Sequence, residues 1–174
     1  MTVRTILIEP NKILRQISQP VEKVEDEERE LMRDMLETMY SLNGIGLAAI
    51  QVGVPKRIIV LDISKEENKK NPMYFINPVI KNKNKELATY EEGCLSVPGQ
   101  FAEIDRPDRC HVKYLDYNGN HKEFKSEGLL ATCIQHEIDH LEGILFIDYL
   151  SNLKKSMIIK KLSKQKKELE RIVV

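Results

Sequence analysis

The stretch Cys133–Gly143 reads CIQHEIDHLEG and contains His-Glu-x-x-His at His136, Glu137 and His140. On a helix, residues four apart share a face, about 6 Å from each other at the surface. Two imidazoles so placed can clamp one metal ion, and Glu137 projects close enough to reach a water on that ion. Ser126 is placed to cap such a helix, which would run to about Glu142, and Gly143 is placed to end it. Two protein ligands are too few for a stable catalytic site, so other elements must bring a third to this helix.

The surroundings are short strands. RIIVLDI (57–63) reads as a buried strand, followed by the polar loop SKEENKKNP, and MYFINPVI (73–80) reads as a second strand. KELATYEEGCLSVPG (85–99) mixes strand and turn signals. RCHVKYLDY and HKEFK flank Asn118-Gly119-Asn120, and Asn-Gly is a strong hairpin signal. Before them, NKILRQISQPVEKV is an irregular lead-in, and a helix is expected over about 24–40. That helix starts on acids that suit its positive end, and Leu31, Met32, Met35, Leu36 and Met39 recur at helical spacing. A last helix is expected over about 151–172, with Ile158, Leu162, Leu169 and Val173 on one stripe. The fold class is therefore α+β: short antiparallel strands around a central metal-binding helix, with a C-terminal helix.

The 174 residues suit one domain, 1–174, with room for a core. Hydrophobic residues at 41% and charged residues at 31% exclude a disordered or membrane-embedded chain. No apolar run approaches the roughly 18 residues of a membrane span, and the N-terminus lacks a secretory leader. A cytoplasmic location is the default, and the three cysteines are then expected as free thiols. Net charge is zero, yet residues 151–174 hold eight basic and two acidic residues, a net of +6, so the first 150 carry −6. A basic tail on an acidic body points to an anionic partner for the tail.

Where would the third ligand lie? Downstream of His140 there is no His or Cys, and the acids there are badly placed. Cys133 shares the helix but lies about 10 Å along the axis from His140, against a thiolate–metal bond of about 2.3 Å. It is better placed as a pocket wall. Cys110, His111 and His121 fall on or beside the hairpin and read as structural or exposed. Cys94 follows a glycine that lets backbone approach closely, and Pro98-Gly99 turn the chain after it. It is the leading candidate, with a plain core cysteine as the other reading.

GIGLAAIQ (44–51), EGCLS (92–96) and QHEIDH (135–140) resemble, in order and approximate spacing, the three signature motifs of peptide deformylases. The resemblance implies that Cys94, His136 and His140 ligate one divalent metal, with water in the fourth position. The family's native metal is ferrous iron, with zinc, nickel or cobalt as substitutes. It implies hydrolysis of the N-formyl group of formyl-methionyl nascent peptides, with Glu137 as general base and later proton donor. It implies oxyanion donors at the Gln51 amide and the Leu95 N–H, and backbone contact to the peptide at Gly46. Gly44 and Ile45 would border the methionine pocket, with Glu92 and Cys133 also on the substrate side. An Arg106–Glu92 pair would hold the ligand loop, and Asp139 is a candidate to orient a ligand histidine. In related deformylases the C-terminal helix docks on the ribosome, so the basic helix 151–174 is expected to do so. No membrane or DNA partner is expected. Phe101 stands where some members carry arginine, and Asn43 where an acid is common; both bear on contacts beyond methionine.

Three other readings compete. A metallopeptidase would share the helix motif but needs a downstream ligand. A binding module would close the metal with four protein ligands. Gly44-x-Gly46-x-x-Ala49 matches a dinucleotide fingerprint, but it follows a helix, and Pro55 leaves no room for a crossover helix.

Overall fold

In the computed structural model, which describes residues 2–64 and 69–172, the chain runs α1 (Asp26–Ser41), β1 (Gly46–Ala48), β2 (Ile58–Leu61), β3 (Met73–Lys83), β4 (Leu87–Cys94), β5 (Val97–Pro107), β6 (Arg109–Leu115), β7 (His121–Glu127), α2 (Gly128–Leu141) and α3 (Asn152–Ile172). Short 3-10 turns lie at Lys12–Arg15, Ala49–Val52 and Phe146–Tyr149. An antiparallel sheet takes the order β1-β2-β3-β6-β7, and β4 and β5 form a separate antiparallel hairpin.

The all-apolar β2 sets the layers. Successive strand residues point to opposite faces, and all four are fully buried. Ile58 and Val60 face a cluster with Met32, Met35 and Met39 of α1. Ile59 and Leu61 face a second cluster with Ala131, Ile134, Ile138 and Leu141 of α2. Helix α1 thus covers one face of the sheet and α2 the other. A third cluster, with Val97, Ile104, Phe146 and Leu162, packs the β4–β5 hairpin and α3 together.

Local chemistry explains the element ends. At the start of α1 the Glu25 N–H donates to Glu28 Oε2 (3.0 Å), satisfying one orphan donor. Asn43 follows α1 in the left-handed region, φ 55°. That conformation, which asparagine tolerates, accounts for an amide there. Gly143 follows α2 at φ 71°, and the Ile144 N–H bonds back to Asp139 O at 2.9 Å. Between β6 and β7 the Asp116 carboxylate accepts the N–H groups of Asn118 and Asn120, with Gly119 at φ 84°.

Three expectations need correction. Ser126 does not cap α2: it lies in β7, pairs with Cys110 across the sheet, and its Oγ is 3.1 Å from Cys110 Sγ. Strand pairing runs through Glu127, which is the N-cap. The apolar stripe of α3 stops early: Leu162 is buried, but Leu169 is 65% exposed because the helix outruns the body. Val173 and residues 65–68 of the loop after Ile63 lie outside the described residues. Gly46–Ala48, where no strand is expected, forms the edge strand β1.

Asp148 ties three parts together: it accepts from Arg15 (2.6 Å), from the Leu145 N–H (3.0 Å) and from Lys155 of α3 (2.6 Å). Burial alone would raise its pKa; these donors outweigh burial and hold it below the usual carboxylate range. A group whose folded pKa is lowered stabilises above its unfolded pKa and loses that contribution as pH falls. Asp148→Asn is expected to cost about 1–3 kcal/mol at pH 7 in urea unfolding. The gap to the parent should close as pH drops below about 4.

Candidate metal centre

Helix α2 presents one stripe to a cavity of about 820 Å³: Thr132, Cys133, His136 and Glu137 line it. His140 sits one turn further along, fully buried. Facing this stripe is the tip of the β4–β5 hairpin. Its register breaks between Gly93 and Cys94, and such an irregularity re-aims the next side chain. Ligand atoms of Cys94, His136 and His140 all lie within 4.8 Å of one another, with Cys94 Sγ 3.3 Å from His140 Nε2. That is close to what one ion with bonds of about 2.0–2.3 Å spans. A thiolate and two imidazoles suit several first-row metals, so the donor set fits a divalent ion. Burial, followed by neighbouring His136, pushes the His140 pKa well down, so its imidazole is neutral and free to bind metal.

Glu137 is held beside these ligands by an absence. A Cβ on Gly46 would collide with Glu137 Oε1 and come within 2.9 Å of its carboxyl carbon and of Leu61. Only bare backbone fits there. Burial raises the Glu137 carboxyl to about 7, and among the described residues its Oε2 has no hydrogen-bond partner. A carboxyl in this range is suited to exchanging protons near neutral pH.

Gln51, 1% exposed, closes another side. Its Oε1 accepts from the Ala48 N–H (2.9 Å), which fixes the amide orientation. Its Nε2 then donates to Ser96 Oγ (3.1 Å) and to Cys94 Sγ (3.4 Å). Leu95 lies in the turn that joins β4 to β5. Gly44, Ile45, Gly46 and Cys133 line the cavity. Burial drives the Cys133 thiol up to about 12, so it stays protonated, an apolar wall.

Behind the ligands the expected Arg106–Glu92 pair is present, and Glu92 also takes the part expected of Asp139. Glu92, expected beside substrate, turns its oxygens to protein: Oε2 meets His136 Nδ1 at 2.8 Å, and Arg106 takes both oxygens at 2.6 and 3.0 Å. Burial would raise its pKa, but His136 and Arg106 outweigh this and keep it ionised. An ionised carboxylate only accepts, so His136 Nδ1 carries the hydrogen and Nε2 is left for the metal. Asp139, expected behind a histidine, instead accepts from Arg106 (2.8 Å) and Tyr149 (2.7 Å). Helical rotation carries it away from both rings.

Sequence reasoning missed several supports. Phe146 stacks on His136, with ring centroids 6.2 Å apart. The N-terminal segment adds Ile6 and Ile8 to the cavity, while the Leu7 and Glu9 N–H groups bond to Gln51 O and Ser96 O. Ser96, the last residue of EGCLS, was the available signal for its bond to Gln51. The other contacts join distant segments and leave no local pattern.

A sequence model described as polypeptide deformylase matches residues 3–156. The chain belongs to the polypeptide deformylase family. It is 72% identical to a peptide deformylase of Pelagibacter ubique over all of both chains, and 56% identical to one of Maricaulis maris over 98% of each. The crystal structure of peptide deformylase from Ehrlichia chaffeensis superposes with a TM-score of 0.89 at 45% identity, covering 95% of this chain and 97% of that one. A structure of the Ehrlichia chaffeensis enzyme in complex with actinonin also gives 0.89, at 48% identity, covering 95% and 98%. As a deformylase the chain is a metal-dependent hydrolase, and its α+β fold is that of the family.

Gly46→Ala isolates the position of Glu137 from metal binding. Displacing a catalytic group by about 1 Å can cost about 10²-fold in rate. Deformylation is expected to fall by that order while metal analysis still finds one ion per chain. Undiminished turnover would show that Glu137 tolerates the displacement.

Proposed function

We propose that the chain removes the N-formyl group from N-formyl-methionyl nascent peptides, releasing formate, with Cys94, His136 and His140 holding one divalent ion. Ferrous iron is the proposed native ion, with zinc, nickel or cobalt able to replace it. The observation that carries this reading is the meeting of the Cys94 thiol with both histidines of α2. When bound, such an ion acts as a Lewis acid on the formyl carbonyl and makes a water nucleophilic near neutral pH.

The chain's own residues supply the rest. Glu137 takes the water's proton as the new C–O bond forms, then delivers it to the leaving amine as the C–N bond breaks. Gln51 Nε2 and the Leu95 N–H donate to the carbonyl oxygen as it gains charge. Gly46 offers main chain to the peptide, and Gly44, Ile45 and Cys133 border the methionine side chain. Phe101, 65% exposed with its ring over Gly93, lies on the cavity rim. Glu92 lines the same cavity and at the same time orients His136 from behind.

We also place the enzyme in the cytoplasm, on the ribosome, through α3. Among the described residues no helix is long and apolar enough to cross a membrane. Helix α3 anchors itself through Leu162, half-buried Ile158 and the Lys155–Asp148 pair. Lys160, Lys161, Lys166 and Lys167 remain exposed on it, suited to RNA phosphates.

Glu137→Gln should keep the metal and lower turnover of formyl-Met peptides by about 10²–10⁴-fold in a formate-release assay. Retained activity would remove the general-base role, and cleavage of internal bonds by the parent would favour a peptidase. Charge reversal at Lys160, Lys161, Lys166 and Lys167 leaves the buried anchor intact. It should weaken co-sedimentation with ribosomes at low salt, and unchanged co-sedimentation would refute the docking role.

A further inference from the structure

We infer that Tyr149 and Asp139 are positioning residues for His136, acting through Arg106 and Glu92. The inference rests on the metal reading above, since His136 is one of the proposed ligands.

The contacts form a continuous path. His136 Nδ1 meets Glu92 Oε2 at 2.8 Å. Arg106 grips Glu92 with two parallel bonds, Nε to Oε1 at 2.6 Å and Nη2 to Oε2 at 3.0 Å. Such a forked pair fixes the carboxylate plane as well as its place. Its remaining nitrogen, Nη1, donates to Asp139 Oδ2 at 2.8 Å. The Tyr149 hydroxyl donates to that same oxygen at 2.7 Å. The guanidinium also lies over the Tyr149 ring, 4.8 Å from its centroid. Arg106 is therefore held along its edges by two carboxylates and on one face by a ring.

The path leaves α2 at His136, crosses β4 and β5, and returns to α2 at Asp139, one turn on. Glu92 and Arg106 are buried, whereas Tyr149 is half exposed, in the turn just before α3. A buried arginine–carboxylate pair could serve only to bracket the hairpin. Here Glu92 also receives a ligand histidine, so any rotation of the guanidinium is passed to the imidazole. Asp139 and Tyr149 limit that rotation, because they hold the one nitrogen that Glu92 does not. Replacing a ligand's hydrogen-bond partner costs about 10–100-fold in affinity or activity, and a contact two links further out should cost less.

Tyr149→Phe removes only the hydroxyl, and Asp139→Asn keeps the shape of the acid. Three readouts distinguish positioning from packing: the Nδ1 proton resonance of His136 in metal-free protein, the rate of cobalt release to a chelator, and kcat against KM. Both variants are expected to shift the Nδ1 proton and speed its exchange with solvent. Cobalt release should rise and kcat fall by about 3–10-fold, with KM within about twofold. If both variants match the parent in proton resonance, release rate and kcat, and differ only in Tm, they are packing contacts and the inference fails. If the parent binds no cobalt, the metal reading fails, while the Nδ1 resonance still decides whether Tyr149 and Asp139 position His136.

Discussion

The docking of the β4–β5 hairpin tip across α2 is the constraint on which the site depends. His136 and His140 share a helix face by virtue of helical pitch alone. Cys94 reaches them only because a strand pair crosses that helix and its register slips after Gly93. The third apolar cluster, built from Val97, Ile104, Phe146 and Leu162, fastens the hairpin and α3 to each other. The sheet beneath α2, with the α1 layer behind it, gives the histidines a fixed base. Burial of this platform thus serves chemistry as directly as it serves stability.

Around the site, charge is buried in partnered form. Glu92 and Arg106 are 6% and 4% exposed, and each is satisfied by the other and by further partners. Breaking one partner of such a pair leaves an uncompensated buried charge, so the network resists drift. Glu137 is the exception, deep and, among the described residues, without a partner on Oε2, with its carboxyl raised to about 7. One carboxylate is locked and ionised, and the other is left free to exchange a proton. That contrast arises from neighbours, since both are glutamates lining the same cavity.

The sequence was most legible where structure is local. His-Glu-x-x-His on a helix, the methionine stripe of α1, the Asn-Gly hairpin and Gly143 at the end of α2 all follow from short-range periodicity or turn chemistry. Cys94 was legible only as a candidate until the three motifs were seen together, because a 42-residue gap carries no spacing rule. Ser126 was misread because a good capping residue lay next to the true cap, and strand pairing decided between them. The Arg106–Glu92 pair stands as expected, but that Glu92 rather than Asp139 receives His136 was not legible, because those partners come from across the fold. The closeness of Gly46 to Glu137 joins segments 91 residues apart, so the sequence showed the glycine and not its purpose. Leu169 continued a helical stripe on paper, but no body lies beneath it.

The account stands on one coordination sphere. X-ray absorption at the metal edge, on anaerobically purified protein, reads that sphere without relying on activity. One sulfur and two imidazole nitrogens, with the remaining scattering from light atoms, is the predicted result. A sphere without sulfur, or one closed by four protein ligands, would contradict it.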